Sequence, residues 1–134
     1  MAIKIRVLQH KKKDLGGKWY GKAVSTGEVS TAELAQAISR SNSVTEGDVL
    51  AVIKALTEEM RRQMQMGKTI VLDDFGRFHL SVKSDMVDRK ADYNIKKHVK
   101  KVVCRFTPTG HRDQLDRHLV RPFCDGTEVE RAKE

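Results

Sequence analysis

The chain holds only two prolines and two cysteines in 134 residues, an aromatic content of 5%, and no long apolar run. Two cysteines, Cys104 and Cys124, make no disulfide framework and suit a reducing compartment. Cys104 sits in a β-like run and is expected to be a buried thiol, Cys124 to be exposed. No stretch approaches the roughly 18 apolar residues of a membrane span, so no membrane partner is expected. The opening "MAIKIRVLQHKKK" lacks the uninterrupted apolar core of a secretory leader, which places the chain in the cytoplasm as an expectation. A strand rich in aromatics, of the kind RNA-recognition modules use to stack bases, is also missing.

Equipment for catalysis is equally sparse. There is no glycine loop to cradle phosphate and no paired-carboxylate site. Asp73 and Asp74 are adjacent, so a turn is their simplest role. His10, His79, His98, His111 and His118 have no nucleophile or general-base partner at helical or turn spacing. Cys104, His111, His118 and Cys124 are spaced too widely and irregularly for a zinc finger. Neither an enzyme, nor a cofactor or metal, nor a small-molecule substrate is expected.

Charge is what the chain has in quantity. Its formal net charge of +8 points to an anionic partner, nucleic acid before an acidic membrane surface. Residues 1–29 carry seven Lys/Arg against two Asp/Glu, and residues 67–110 carry ten against five. In residues 30–66 and 111–134 the acids exceed the bases by one each. The excess therefore falls on two segments, and both have the pattern of strands.

In the first, Ile3, Ile5 and Val7 alternate with Lys4, Arg6 and Leu8, then "KKKDLGG" turns the chain into "KWYGKAV". A basic hairpin is expected. Trp19 and Tyr20 are expected to cover the core, with base stacking as the other reading. Lys11, Lys12 and Lys13 read either as a phosphate clamp or as a soluble loop tip.

The middle is helical. Ser30 with Glu33 and Thr45 with Asp48 have capping-box spacing, and Val49, Val52, Ile53, Leu56, Met60 and Met64 run down one face before Gly67. Two strands follow, Thr69–Leu72 and Arg77–Lys83, then the polar "SDMVDRKADYNIKKH" and a third strand, "VKKVVCRFT". "HRDQLDRHLV" predicts a short closing helix, and the residues from Arg121 a loose tail. The period of two sends Phe78, Leu80, Val82, Val102, Cys104 and Phe106 to one side, where the helices are expected to cover them. Arg77, His79, Lys83, Lys101 and Arg105 go to the other, with no acid among them.

"GKTIVLDDFGRFHLSV" resembles the signature of the bacterial histone-like HU/IHF family. "TAELAQAISRSNSVTEGDVLAVIKALTEEMRRQM" resembles that family's two dimerisation helices, and "VKKVVCRFTPTGHRDQLDRHL" its last strand and closing helix. The resemblance runs from Thr31 to Leu119 and is strongest to the larger HU-like proteins of Bacteroidetes, which carry a "KWYGKAV"-like strand ahead of the helices.

It implies an α+β fold: two N-terminal dimerisation helices, a three-stranded antiparallel sheet with a β-arm, and a short C-terminal helix, here preceded by the basic hairpin. The domains would be residues 1–29, 30–119 and a tail 120–134. It implies a nucleoid-associated homodimer that binds and condenses double-stranded DNA through the minor groove. The dimer core would contain Leu56, Met60, Phe75, Phe78 and Phe106. DNA would meet Arg77, His79, Lys83, Lys101 and Arg105 on the saddle, and Arg89, Lys90, Lys96 and Lys97 on the arm.

The arm departs from the family. It has no proline to wedge between base pairs, and Asp85, Asp88 and Asp92 are interspersed with its cations; Met86 and Tyr93 are the substitute wedges available. Two alternatives stand beside DNA binding: an interaction dimer that has lost it, and an RNA binder. A helix-turn-helix is disfavoured, because Glu46 and Asp48 would face the polyanion.

Overall fold

The computed structural model describes residues 2–12, 14 and 16–133; Lys13 of the lysine triplet lies outside them. The chain forms two compact units, one from residues up to Glu46 together with those from Cys124 onward, the other Gly47–Phe123.

In the first unit, β1 (Ala2–Gln9) pairs antiparallel with β2 (Trp19–Val24), as the basic alternating pattern requires. The turn is closed by the His10 N–H, which donates to the Lys18 carbonyl at 2.8 Å, and by Gln9 Nε2, which donates to the Gly17 carbonyl at 2.8 Å. The expected tail supplies a third strand. Glu128–Arg131 (β8 in chain order) lies parallel to β1, with Lys4 ion-paired to Glu130. No alternation marks "EVER" as a strand; its partner does. Helix α1 (Thr31–Ser41) starts at Ser30, whose hydroxyl accepts the Glu33 N–H at 3.2 Å.

In the second unit, α2 (Glu46–Gln65) ends in a Schellman turn. The Gly67 N–H bonds the Met64 carbonyl at 2.9 Å and the Lys68 N–H the Gln63 carbonyl at 3.2 Å, with Gly67 at φ 88°. On its exposed face the Arg62 guanidinium grips Glu59 at 2.5 and 3.0 Å. That contact, aided by Gln63, holds the Glu59 carboxyl down at about 2. β3 (Ile70–Leu72), β4 (Gly76–Ser84) and β5 (Val99–Pro108) form an antiparallel sheet in that order. Gly76 is obligatory at φ 157°, because a Cβ there would lie 2.4 Å from the Thr107 carbonyl oxygen.

The expected HU-like arrangement is not the one adopted. Among the described residues the chain is mixed α/β, with three α-helices and eight strands in three small sheets. No β-arm projects between β4 and β5. Their connection folds into a 3₁₀ turn (Lys90–Asp92) and a one-turn helix, α3 (Ile95–His98). No helix closes the second unit either: "HRDQLDRHLV" makes a hairpin, β6 (His111–Arg112) with β7 (Leu119–Val120). Local side-chain bonds explain the difference. Asp113 accepts the Leu115 N–H at 2.7 Å and Asp116 the His118 N–H at 3.2 Å, while Arg117 takes φ 62°. Aspartates that bind backbone two residues on favour turns over helix.

The expected burial also fails. Among the described apolar residues only Ala35 and Val49 are buried, whereas Val82, Val102 and Phe106 are 53%, 60% and 45% exposed. Cys104 is exposed, not a buried thiol. Trp19 and Tyr20, expected over the core, are exposed as well. Among the described residues of the second unit, the apolar side of the β3–β5 sheet thus stays partly exposed.

Candidate nucleic-acid interface

Directly opposed residues of an antiparallel pair share a face, so register decides what each side of the sheet offers. β4 and β5 align Phe78 with Phe106, Leu80 with Cys104, and Val82 with Val102. On the other side Arg77 meets Thr107, His79 meets Arg105, Ser81 meets Val103, and Lys83 meets Lys101. Arg77, Lys83, Lys101 and Arg105 are exposed and His79 is half-buried. Five of the nine residues assigned to DNA therefore lie on one face, and no acid stands in its strands. Asp73 and Asp74 border it at the Arg77 end, where they line a depression of about 520 Å³ with Arg77 and Thr107.

The Lys83–Lys101 pairing matters most. Like charges directly opposite oppose strand pairing. Neither lysine has an ion-pair partner among the described residues, so the repulsion is not relieved internally. A phosphate between them would relieve it.

The other four predicted residues, Arg89, Lys90, Lys96 and Lys97, lie in the connection beyond the Lys83–Lys101 end. That connection is tied to itself. The Asp85 N–H bonds the His98 carbonyl at 2.8 Å, and the Ser84 and Tyr93 hydroxyls meet. Asn94 caps α3 by accepting the Lys97 N–H at 3.1 Å, and its own N–H donates to His98 Nδ1 at 2.8 Å. Two of the three aspartates are engaged: Asp92 lies 3.7 Å from Arg89, and Asp85 lies 3.0 Å from Lys100. Arg89 is thus partly neutralised, while Lys90, Lys96 and Lys97 face solvent with no ion-pair partner among the described residues. Of the substitute wedges, Met86 is 97% exposed and Tyr93 packs against the His98 ring at 5.3 Å.

On the apolar side, Phe78 stacks on Phe106 with ring centroids 4.6 Å apart, and Phe75 lies 5.8 and 5.9 Å from them. The fourth phenylalanine, Phe123, meets Phe75 edge-on at 5.8 Å. Sequence reasoning missed it, because it sits in an aperiodic polar stretch. Its being the last phenylalanine of a chain so poor in aromatics was the available signal. In α2, Leu56 is exposed and Met60 half-buried.

Among the described residues the group of metal-type donors that comes together is Asp113, Asp116 and His118; of the four residues considered for zinc it contains His118 alone. These side chains serve the β6–β7 turn. The His118 ring hydrogen-bonds the Asp116 carboxylate and lowers its pKa.

No helix among the described residues is long and apolar enough to cross a membrane. Among curated proteins none matches the chain. A family model does match, over residues 1–118, which takes in the first sheet strands, the helices and the whole cationic face: the chain belongs to the HU-HIG family, described as an HU domain fused to wHTH, Ig, or Glycine-rich motif.

Proposed function

We propose that the chain binds double-stranded DNA with little sequence preference, through phosphate contacts to the cationic face of β4 and β5, as a cytoplasmic, nucleoid-associated homodimer. One observation carries the reading: Arg77, His79, Lys83, Lys101 and Arg105 share a face with no acid in its strands, and Lys83 directly opposes Lys101. Membership of an HU-domain family supports DNA as the polyanion. The uncovered Val82, Val102 and Phe106 support a second copy as the missing layer, since large exposed apolar patches mark interfaces. The role is one of binding and shaping, without catalysis. The folded, proline-free connection argues against wedging, so contact rests on charge.

If a dimer neutralises about six phosphates, log K falls with log salt at a slope near −5, from roughly 0.9 per phosphate. Anisotropy titrations of a labelled duplex at several salt concentrations measure that slope. Absent binding at low salt, or binding indifferent to salt, would instead favour an interaction dimer that has lost DNA. The specific observation on that side is the acid content of the connection, where Asp85 and Asp92 already hold Lys100 and Arg89.

A further inference from the structure

The N-terminal sheet repeats the like-charge arrangement in a different setting. In the β1–β2 register Arg6 stands opposite Lys22 and Leu8 opposite Tyr20, so these four share one face. Lys4 lies on that face too, but is satisfied by Glu130 from β8. Arg6 and Lys22 are exposed and have no ion-pair partner among the described residues. On this face the strand carboxylates come from β8, whereas Arg6 of β1 and Lys22 of β2 stand opposite each other. At the turn end of the face the His10 and Tyr20 rings lie 4.8 Å apart at 42°. They line an open depression of about 720 Å³ together with Leu8, Gln9, Lys11 and Lys12. Tyr20 is 41% exposed, where burial in the core was expected.

Two opposed cations beside an exposed ring, with two more lysines at the rim, suit a phosphate joined to a flat base. The base must be free to leave its neighbours, because inside a duplex both its faces are stacked. We infer that this face is a second nucleic-acid site, specific for single-stranded segments: a base stacks on Tyr20 while Arg6, Lys22, Lys11 and Lys12 hold the flanking phosphates. It is separate from the duplex reading of β4 and β5 and does not depend on it.

The test uses the full chain and a fluorescent oligothymidylate of about ten nucleotides, a length within the range one small binding fold covers. Tyr20→Ala is expected to weaken binding about tenfold or more, and Tyr20→Phe to restore it, since stacking needs the ring and not the hydroxyl. Arg6→Ala with Lys22→Ala should lower the salt slope by about 1.4, from roughly 0.7 per phosphate on a single strand. Arg77→Ala with Arg105→Ala should leave oligothymidylate binding intact while weakening the duplex, which separates the two sites. Circular dichroism of each variant identifies any that fail to fold, and the Tyr20→Phe and Arg6/Lys22 arms then decide. Unchanged affinity in folded Tyr20→Ala, or loss that follows only Arg77 and Arg105, would overturn the inference. So would binding to phosphatidylserine vesicles with none to the oligonucleotide.

Discussion

Lys83 and Lys101 stand directly opposite each other on β4 and β5, on the same face as Arg77 and Arg105 and without a counter-ion among the described residues. A sheet that only needed solubility would do better with a lysine–glutamate pair there. Opposed like charges lower stability by a few tenths to about 1 kcal/mol. Lys101→Ala is therefore expected to stabilise the fold by that order in urea denaturation. The same variant should weaken duplex binding and reduce the salt slope by about 0.9 for each phosphate it no longer neutralises. A variant that loses both stability and affinity would show that the lysine is structural.

Phe78 and Phe106 test the second copy. Half-exposed in one chain, Phe78 has only part of its ring to lose. Covered by a partner, its replacement by alanine should destabilise by about 3–5 kcal/mol. Thermal unfolding of the wild type should then shift upward with protein concentration, and Phe78→Ala should abolish the shift. A midpoint independent of concentration in the wild type would leave the apolar face without a partner.

Gly76 opens β4, opposite Pro108 of β5. Gly76→Ala would place a methyl group 2.4 Å from the Thr107 carbonyl oxygen and 2.5 Å from the Phe106 ring, in a backbone conformation that L-residues rarely adopt. A loss of about 2–3 kcal/mol or more is expected, from overpacking and strain together. Urea midpoints read it, and a near-neutral result would mean that the turn relaxes freely.

Glu59 provides the pH dependence. Its carboxyl is held at about 2, against an ordinary 4.5, first by the Arg62 guanidinium and then by Gln63. A depressed carboxylate contributes fully above its unfolded value and loses that contribution as pH falls from about 4.5 through 2. Both side chains are exposed to solvent, so the effect is small. The difference in α2 stability between wild type and Glu59→Gln should be present at neutral pH and gone below 2. A difference that grows on acidification would reverse the sign.

Much of the candidate face was readable in the sequence, because a period of two leaves no choice about which residues share a side. Arg77, His79 and Lys83 alternate with Phe78, Leu80 and Val82, and β5 answers with Lys101 and Arg105 against Val102, Cys104 and Phe106. Ser30 and Gly67 marked helix ends through bonds made within a few residues. The architecture was not readable in the same way. The connection between β4 and β5 follows from Asn94, Asp85 and His98 bonding locally in place of extending the ladder. The β6–β7 turn hangs on Asp113 and Asp116, in the stretch "HRDQLDRHLV" expected to form a closing helix. Glu128–Arg131 becomes a strand only because β1, more than a hundred residues earlier, has an edge to give it. Long-range pairing of that kind leaves no periodic trace in a four-residue segment.

The most direct test of the cationic face compares duplex affinity against salt for the wild type and the Arg77→Ala/Arg105→Ala variant. Two subunits would each leave two phosphates unneutralised, so a slope near −5 should flatten by about 3 to 4, with affinity falling alike on unrelated sequences. An unchanged slope in a folded variant would place the DNA elsewhere on the molecule and contradict the account.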